Sequence, residues 1–355
     1  MIIFAFLIII VFFLAFFFYG RGKRANDSYI IICFCLLVLL RVSLNWKEWG
    51  DLPEYFDAFQ HTLYHDFLYY EKIGWEVPGF KSERGWIIYT WLNSHTIPNF
   101  VSFLFVSGCI ISYGYFFTIR KYVNYGLVWL PILIYILGPY LQSFYVLRQH
   151  MAMSVALLSY PFILNRQFAK FLIVIITSTA IHQTALFVFP LYFLYGIKKK
   201  RPLLLGIVLY SVIVFAIVSY IGSTSDLLID GYNTYLRANE DEFSNYKTAA
   251  LLCGLLAIRL VSLKSVFGED GITKLLSIVL ILGCINAIIG AGRIMFMSRL
   301  NMYYSEIVFL ILPNTISYIY NRFVRYSIAF GYVIFMGYFF FSRYNVYHTG
   351  SFVWE

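Results

Sequence analysis

Long apolar runs recur from one end of the chain to the other, and short clusters of Lys and Arg separate most of them. Of the 355 residues, 61% are hydrophobic and only 13% are charged. Soluble globular domains contain about 25% charged residues, so this composition does not suit a water-soluble fold. Several runs approach the ~20 residues that a helix needs to cross a bilayer. We therefore predict an all-α, polytopic integral membrane protein, with residues 1–355 forming a single membrane domain.

The basic clusters predict the orientation of the chain, because cytoplasmic loops carry the excess of Lys and Arg. Residues 21–24 follow the first apolar run, so its start is expected outside the cell. A secretory signal peptide has its positive charge first, so we expect this run to be a retained helix. The net charge of +9 comes largely from such clusters, and no nucleic-acid partner is predicted.

Two polar stretches, residues 45–97 and 222–247, are predicted to be external loops. Together they hold thirteen of the eighteen acidic residues and few basic ones. Within the first loop, residues 86–92 (WIIYTWL) are too few to span a bilayer. We expect them to form an interfacial helix with aromatic anchors.

The apolar run at residues 171–197 conflicts with a single crossing. Basic residues flank it at 166–170 and at 198–201, and both flanks should be cytoplasmic. As one helix its 27 residues would be about 40 Å long. We predict two short crossings or a re-entrant hairpin that breaks within residues 177–184 and carries His182 at its tip. The whole chain then makes about twelve crossings, with both termini outside.

Basic side chains near the predicted outer ends of the helices form the first candidate site. Ionisable residues in or beside membrane segments are costly and commonly functional. The topology brings four of them to the outer face, and two more lie near enough to join: Arg148, His182, Arg293, Arg299, Arg41 and His150. Arg donates paired, charge-assisted bonds to phosphate, so the set predicts a pyrophosphate-binding site. The alternative is that these side chains only extend from helix ends to the interface.

Two residues could move a proton. His182 is suited to proton transfer near neutral pH, although a neutral, hydrogen-bonded interior His would give the same pattern. Glu306 follows Arg299 by seven residues, which places both on one helix face. It could pair with an Arg or act as a general base. Among the external acids, Asp51 and Glu54 beside Tyr55 are the candidates for glycosyl chemistry.

Several classes of site are not indicated. The five Cys lie in apolar runs without zinc-ligand spacing. No nucleotide-binding or hydrolase motif occurs in a useful context. The cytoplasmic loops are too short for a nucleotide-sugar domain. We predict no required metal and no cofactor.

Five short elements, taken in order, resemble the EpsG-like branch of the Wzy-type polysaccharide polymerases. The first is GDLPEY at residues 50–55, and the second is ERGW at 83–86. The third is RQHMA at 148–152, the fourth is IHQTA at 181–185, and the fifth runs from Ser298 to Pro313. Trp86 and Leu52 stand where the family often has Tyr.

The resemblance implies a polymerase of lipid-linked repeat units at the outer face of the bacterial inner (plasma) membrane, facing the periplasm or exterior. Such an enzyme transfers a glycan from one undecaprenyl pyrophosphate to the sugar end of another lipid-linked unit. The product would be O-antigen, capsule or exopolysaccharide. Expected partners are these lipid-linked oligosaccharides, the bilayer, and a flippase and chain-length regulator of the same pathway.

The residues and the resemblance together predict the site. The predicted catalytic residues are His182, Arg148, Arg299 and Asp51. The predicted substrate-binding residues are Arg293, Tyr55, Glu54, Gln149, His150, Glu306 and Arg41. The Arg residues would stabilise the pyrophosphate, and His182 would orient the acceptor hydroxyl or take its proton. Asp51 and Tyr55 would close the external side over the sugars.

Three alternatives stay open at the level of sequence. An O-antigen ligase or another lipid-linked glycosyltransferase would use the same chemistry with a different acceptor. A transporter or flippase of lipid-linked sugars would also contain broken helices and buried charges, but it should show internal repeats, and none is convincing. A membrane acyltransferase using His182 would need an acyl-donor path, which no motif supports.

Overall fold

A computed structural model describes residues 2–18, 21–43, 45–72, 76–77, 80–81, 83–223, 242–263, 271–290 and 295–347. The predicted site residue Arg293 and most of the second external loop lie outside this range. The chain divides into two compact units. The first contains Met1–Ser159, Leu172–Leu186 and Ser327–Glu355, and the second contains Tyr160–Phe171 and Phe187–Tyr326. The single-domain expectation stays a prediction.

Helices form nearly all of the regular structure that is described. They are α1 (Ile2–Phe18), α2 (Lys23–Val42), α3 (Leu52–Leu63), α4 (Phe67–Lys72), α5 (Arg84–Thr96), α6 (Phe100–Tyr122), α7 (Trp129–Tyr135), α8 (Leu147–Leu157), α9 (Tyr160–Leu164), α10 (Phe168–Ile181), α11 (Pro190–Gly196), α12 (Lys200–Ser223), α13 (Glu242–Ser262), α14 (Ile272–Gly290), α15 (Met295–Ser305), α16 (Val308–Ser317) and α17 (Arg322–Tyr347). Short 3₁₀ helices lie at Trp46–Glu48, Tyr125–Leu127 and Gln183–Val188, and a π-helix at Ile136–Tyr140. Two strands of two residues, β1 (Glu76–Val77) and β2 (Phe80–Lys81), pair antiparallel with Glu76 opposite Lys81.

Four of the described helices are long and apolar enough to cross a membrane: Lys23–Val42, Phe100–Tyr122, Lys200–Ile217 and Ile272–Gly290. Several shorter apolar helices accompany them, including Trp129–Tyr140, Phe168–Ile181 and Gln183–Gly196. This helical architecture agrees with the predicted membrane class. The number of crossings stays a prediction.

In the first unit, α6 packs against both α2 and α8. Gly114 on α6 permits a close backbone approach, because a Cβ there would overlap the carbonyl oxygen of Ser154 on α8. The Gly114 N–H donates to the Ser154 hydroxyl at 2.9 Å. Small residues at such crossings let membrane helices approach closely, and this contact fixes α8 within the unit.

The apolar run that follows α9 is not one helix. Helix α10 ends at Ile181, the 3₁₀ segment Gln183–Val188 follows, and α11 begins at Pro190. Pro190 lacks the N–H that a continuous helix would need, which favours a new helix start at that point. The break therefore falls at His182, within the stretch predicted from the flanking charges.

The second unit contains a buried Arg on α13. Arg259 is fully buried and donates to the hydroxyls of Ser277 and Thr315 at 2.9 and 2.7 Å. It also donates to the Thr273 carbonyl at 2.7 Å and the Asn314 side chain at 3.1 Å. These bonds join α13, α14 and α16. The buried guanidinium of Arg259 is thus satisfied by neutral oxygen acceptors.

Candidate active site

One carboxylate joins three helix ends in the first unit. Glu83 immediately precedes α5 and has extended backbone, with φ −65° and ψ 141°. Its Oε1 lies 2.8 Å from His182 Nδ1 and accepts the Gln183 N–H at 3.0 Å. Its Oε2 accepts from Arg148 Nη1 at 3.1 Å. We call Glu83, Arg148 and His182 the Glu–His–Arg cluster.

Two local contacts hold these helix ends together. Gly85 opens α5, and a Cβ there would lie 2.6 Å from the carbonyl oxygen of Ala180 on α10. Only Gly allows α5 to approach α10 so closely. The Ser178 hydroxyl donates to the Ala152 carbonyl at 2.6 Å, which ties α10 to α8. The cluster is therefore positioned by backbone packing.

Two of the predicted sugar-side residues lie beside Arg148. The guanidinium of Arg148 lies 6.0 Å from the centroid of the Trp86 ring. The centroids of the Trp86 and Tyr55 rings are 5.4 Å apart. The charges of Arg148 and Asp51 both act on the Tyr55 hydroxyl. Gly50, with φ +46°, places this segment against the Tyr145 ring. The structure thus brings together Asp51, Tyr55, Arg148 and His182, and their predicted roles stay predictions.

The electrostatics favour an ionised Glu83. Burial alone would raise the pKa of its carboxyl group, but the hydrogen bond and charge of His182, with Arg148 and the Gln183 N–H, outweigh burial. The net result is a lowered pKa, so Glu83 is a carboxylate at neutral pH. Burial raises the pKa of Tyr55, against the opposing influence of Arg148. Tyr55 therefore stays a neutral phenol.

The cluster is enclosed but not sealed. The side chains of Arg148, Glu83 and His182 are 17%, 11% and 15% exposed. Charged groups at such a depth interact more strongly than on an open surface, because less water screens them. A ligand could still reach the Arg and the imidazole.

Other predicted site residues have different surroundings. Gln149 and His150 on α8 are almost fully buried. Arg41 is also buried and donates to the hydroxyl and carbonyl of Ser143 at 2.7 and 3.0 Å. Glu54 is exposed on α3. Their assignment to substrate binding stays a prediction.

The late candidates belong to the second unit. Arg299 lies on α15, Glu306 follows the end of that helix, and both are partly exposed. Their predicted roles remain untested. In the described part of the chain, no three His, Cys, Asp or Glu side chains are grouped as metal ligands would be. The expectation of no required metal stays a prediction.

Glu83 is the functional candidate that the residue-by-residue reasoning missed. It is one of eight acids in the predicted external loop at residues 45–97, and nothing in its local pattern distinguishes it. The available signal was its place in the ERGW element. Because the partners of Glu83 lie 65 and 99 residues away, only the folded structure shows the connection.

These features define a class: a multi-helix membrane protein with a carboxylate-linked His and Arg between its helix ends. The chain belongs to the EpsG family, whose sequence profile matches residues 28–354. Members of that family are Wzy-type polymerases. No curated protein and no solved structure matches the chain. The family match confirms the resemblance carried by the five short elements.

Proposed function

We propose that the protein is a glycosyltransferase that polymerises undecaprenyl-pyrophosphate-linked oligosaccharides at the outer face of the bacterial inner membrane. The product would be O-antigen, capsule or exopolysaccharide. Family membership supports the polymerase activity. The Glu–His–Arg cluster is the observation that supports a chemical site for this activity.

The reaction needs a proton acceptor and a cation. The oxygen of an acceptor hydroxyl attacks the anomeric carbon of the donor glycan and forms the new glycosidic bond. The bond from that carbon to the pyrophosphate oxygen breaks, and the lipid pyrophosphate leaves with the electron pair. The hydroxyl proton passes to a base. Fixed positive charge beside the leaving group lowers the barrier, because negative charge grows there.

His182 is our candidate for the base. Its Nδ1 lies 2.8 Å from Glu83 Oε1, which fixes the ring orientation. The second ring nitrogen, Nε2, would then take the proton of the acceptor hydroxyl. A carboxylate behind a His both orients the ring and stabilises the imidazolium that forms. Glu83 would act as the positioning residue in this step.

Arg148 is our candidate for the pyrophosphate-binding group. Its Nη1 donates to Glu83 Oε2, which fixes one edge of the guanidinium. Arg suits phosphate because its planar group donates charge-assisted hydrogen bonds to phosphate oxygens. Asp51, Tyr55 and Glu54 are proposed to face the sugars. The roles predicted from the sequence for Arg293, Arg299 and Glu306 stay predictions. For the buried Arg41, Gln149 and His150, substrate binding stays a prediction from the sequence.

The proposed topology has about twelve crossings, an external loop at residues 45–97 and a re-entrant hairpin at 171–197. The break after Ile181 supports the hairpin. A segment with basic residues at both ends returns to the cytoplasm only if it reverses. In this arrangement the cluster faces the periplasm or exterior.

The test uses purified protein in liposomes with a lipid-linked repeat unit and no nucleotide sugar. We expect a ladder of longer lipid-linked glycans that disappears in Arg148→Ala and persists in Arg322→Ala, a control on an exposed Arg. Loss of substrate from the outer leaflet without a ladder would indicate a flippase. Transfer to an added lipid A acceptor, without a ladder, would indicate a ligase. A full ladder in Arg148→Ala would refute the assigned site.

A further inference from the structure

Stacked rings form a second feature of the first external loop. The rings of His61 and His65 stack with centroids 4.2 Å apart and planes 14° apart, and Tyr69 lies 4.2 Å from His65. On α5, the rings of Trp91 and His95 stack at 4.3 Å. We call these five residues the aromatic–histidine surface. All of them are partly or well exposed.

Hydrogen bonds fix the orientation of these rings. The Nδ1 of His65 bonds the His61 carbonyl at 2.8 Å, and the Nδ1 of His95 bonds the Trp91 carbonyl at 3.1 Å. A carbonyl oxygen only accepts, so both Nδ1 atoms carry the hydrogen. In the neutral ring, Nε2 is then a hydrogen-bond acceptor. Trp91 Nε1 donates to the His65 carbonyl at 3.2 Å, which connects the two stacks.

A small core supports the rings from beneath. Tyr70, Ala58 and Ile87 are buried there, and Tyr69 and Trp91 pack against them. The Tyr70 hydroxyl lies 2.8 Å from His61 Nδ1. The surface is therefore held in place before any ligand arrives, which lowers the entropic cost of binding.

The surface and the Glu–His–Arg cluster are connected through α5, which Glu83 immediately precedes and which carries Trp91 and His95. Helices α3 and α5 pack together, with Tyr55 against Trp86 near their starts, and Trp91 donates to the carbonyl of His65, two residues after the end of α3. From Glu83 to Trp91 the chain rises about 12 Å along α5. A glycan extending from the cluster could therefore follow this helix pair to the stacked rings.

We infer that the aromatic–histidine surface binds neutral sugar rings of the glycan substrate and forms a subsite beside the catalytic cluster. This inference rests on the proposed function and adds a location for the carbohydrate chain. The C–H face of a sugar ring packs on an aromatic ring, and its hydroxyls donate to fixed acceptors at the ring edge. Aromatic walls with a few placed polar groups are typical of small-ligand sites.

The chemistry of the surface favours sugar over phosphate or lipid. Burial, followed by the nearby His65, lowers the pKa of His61, so that ring stays neutral and offers no charge to an anion. Trp and Tyr are also common at the membrane interface. A membrane contact does not require fixed acceptors, however, and the hydrogen-bonded imidazoles of His65 and His95 provide them. Leu68 and Leu92, both well exposed on the same segments, would serve such a contact instead.

The test measures binding of lipid-free oligosaccharide, released by mild acid from the host's lipid-linked repeat units, to full-length protein in nanodiscs. We expect His65→Ala/His95→Ala to weaken binding at least fivefold in calorimetric titration. A second variant, Trp91→Phe, keeps the ring over the core and should weaken binding by a smaller factor. Leu68→Ala/Leu92→Ala is the matched control and should bind like wild type.

The outcomes separate this inference from the proposed function. Arg148→Ala should abolish the polymer ladder but retain binding of the lipid-free glycan, which lacks the pyrophosphate. Glycan binding without any ladder in wild type would refute the polymerase and keep the subsite. Equal binding by wild type and the His65→Ala/His95→Ala protein would overturn the inference. No glycan binding by wild type would overturn the inference as well.

Discussion

At the scale of single residues, the site depends on which partners hydrogen-bond each carboxylate oxygen of Glu83. Oε1 accepts from His182 Nδ1 and from the Gln183 N–H, and Oε2 accepts from Arg148 Nη1. A carboxylate can accept at both oxygens, whereas an amide has one accepting oxygen and one donating nitrogen. Glu83 therefore couples the orientation of the base to that of the cation.

Substituting Glu83→Gln should inactivate the enzyme without removing the side chain. The amide nitrogen would face either Arg148 or the imidazole, and one partner would lose its bond. We expect polymerisation to fall by about 100-fold or more, the range seen when proton transfer is lost. The measurement is the initial rate of ladder formation in liposomes.

The matched control is Asp57→Asn, which neutralises an exposed acid on α3. It changes the net charge by the same amount and should keep the wild-type rate. If Glu83→Gln polymerises as fast as Asp57→Asn, Glu83 has no role in the reaction.

The lowered pKa of Glu83 predicts a pH-dependent contribution to stability. A carboxyl group whose pKa is lowered by folding contributes its full stabilisation at pH values above its ordinary pKa of 4.5. This contribution is lost as the pH falls through the pKa of the folded state. The melting temperature of wild type should therefore exceed that of Glu83→Gln near neutral pH, and the difference should shrink below about pH 4.5. Thermal melting in detergent at a series of pH values measures it. A difference that stays constant down to about pH 3 would contradict the assigned contacts.

Most single residues of the cluster could be chosen from the sequence, because a basic group between apolar runs is conspicuous. Arg148 and His182 are such groups. Glu83 is not, since an acid in a polar loop is unremarkable until its distant partners are known. The burial of Gln149 and His150 was likewise beyond sequence reasoning, because it depends on which face of α8 meets α6.

At the scale of helices, the contact between α5 and α10 determines whether the cluster can assemble. Gly85→Ala would place a Cβ 2.6 Å from the Ala180 carbonyl oxygen and 2.8 Å from the Ala180 Cβ. Backbone atoms cannot move aside as a flexible side chain can, so α5 must shift away from α10. We expect the bond between Glu83 and His182 to break and polymerisation to drop at least tenfold, measured in the liposome assay.

The control for this substitution is Gly331→Ala on α17, where a Cβ would meet nothing within 4 Å. Ala favours a helix over Gly by about 1 kcal/mol, so this variant should be as stable as wild type or more so. Full activity in Gly85→Ala at normal expression would show that the close approach is not needed.

The flanking charges predict a reversal that breaks the helix within residues 177–184, and the break lies at His182. The close approach at Gly85 could not be predicted, because a single Gly in the sequence does not indicate which residue packs against it.

At the scale of the whole molecule, the orientation of the chain rests on where its basic residues lie. Thirteen of the eighteen acids fall in the two predicted external loops, and basic clusters flank the run at 171–197 on both sides. If that run crossed only once, every later cluster would change sides, in conflict with the excess of Lys and Arg expected in the cytoplasm. The proposed topology therefore depends on the reversal at this run.

Cysteine labelling tests this reversal directly. In a background with the five native Cys replaced, single variants Gln167→Cys, Lys199→Cys and Asp57→Cys place thiols at exposed positions. A membrane-impermeant maleimide should label only Asp57→Cys in intact cells, and all three after permeabilisation, which confirms that each thiol is reactive. Labelling of Lys199→Cys but not Gln167→Cys in intact cells would mean a single crossing. His182 would then lie within a continuous span, and the Glu–His–Arg cluster would lose its proposed place at the outer face.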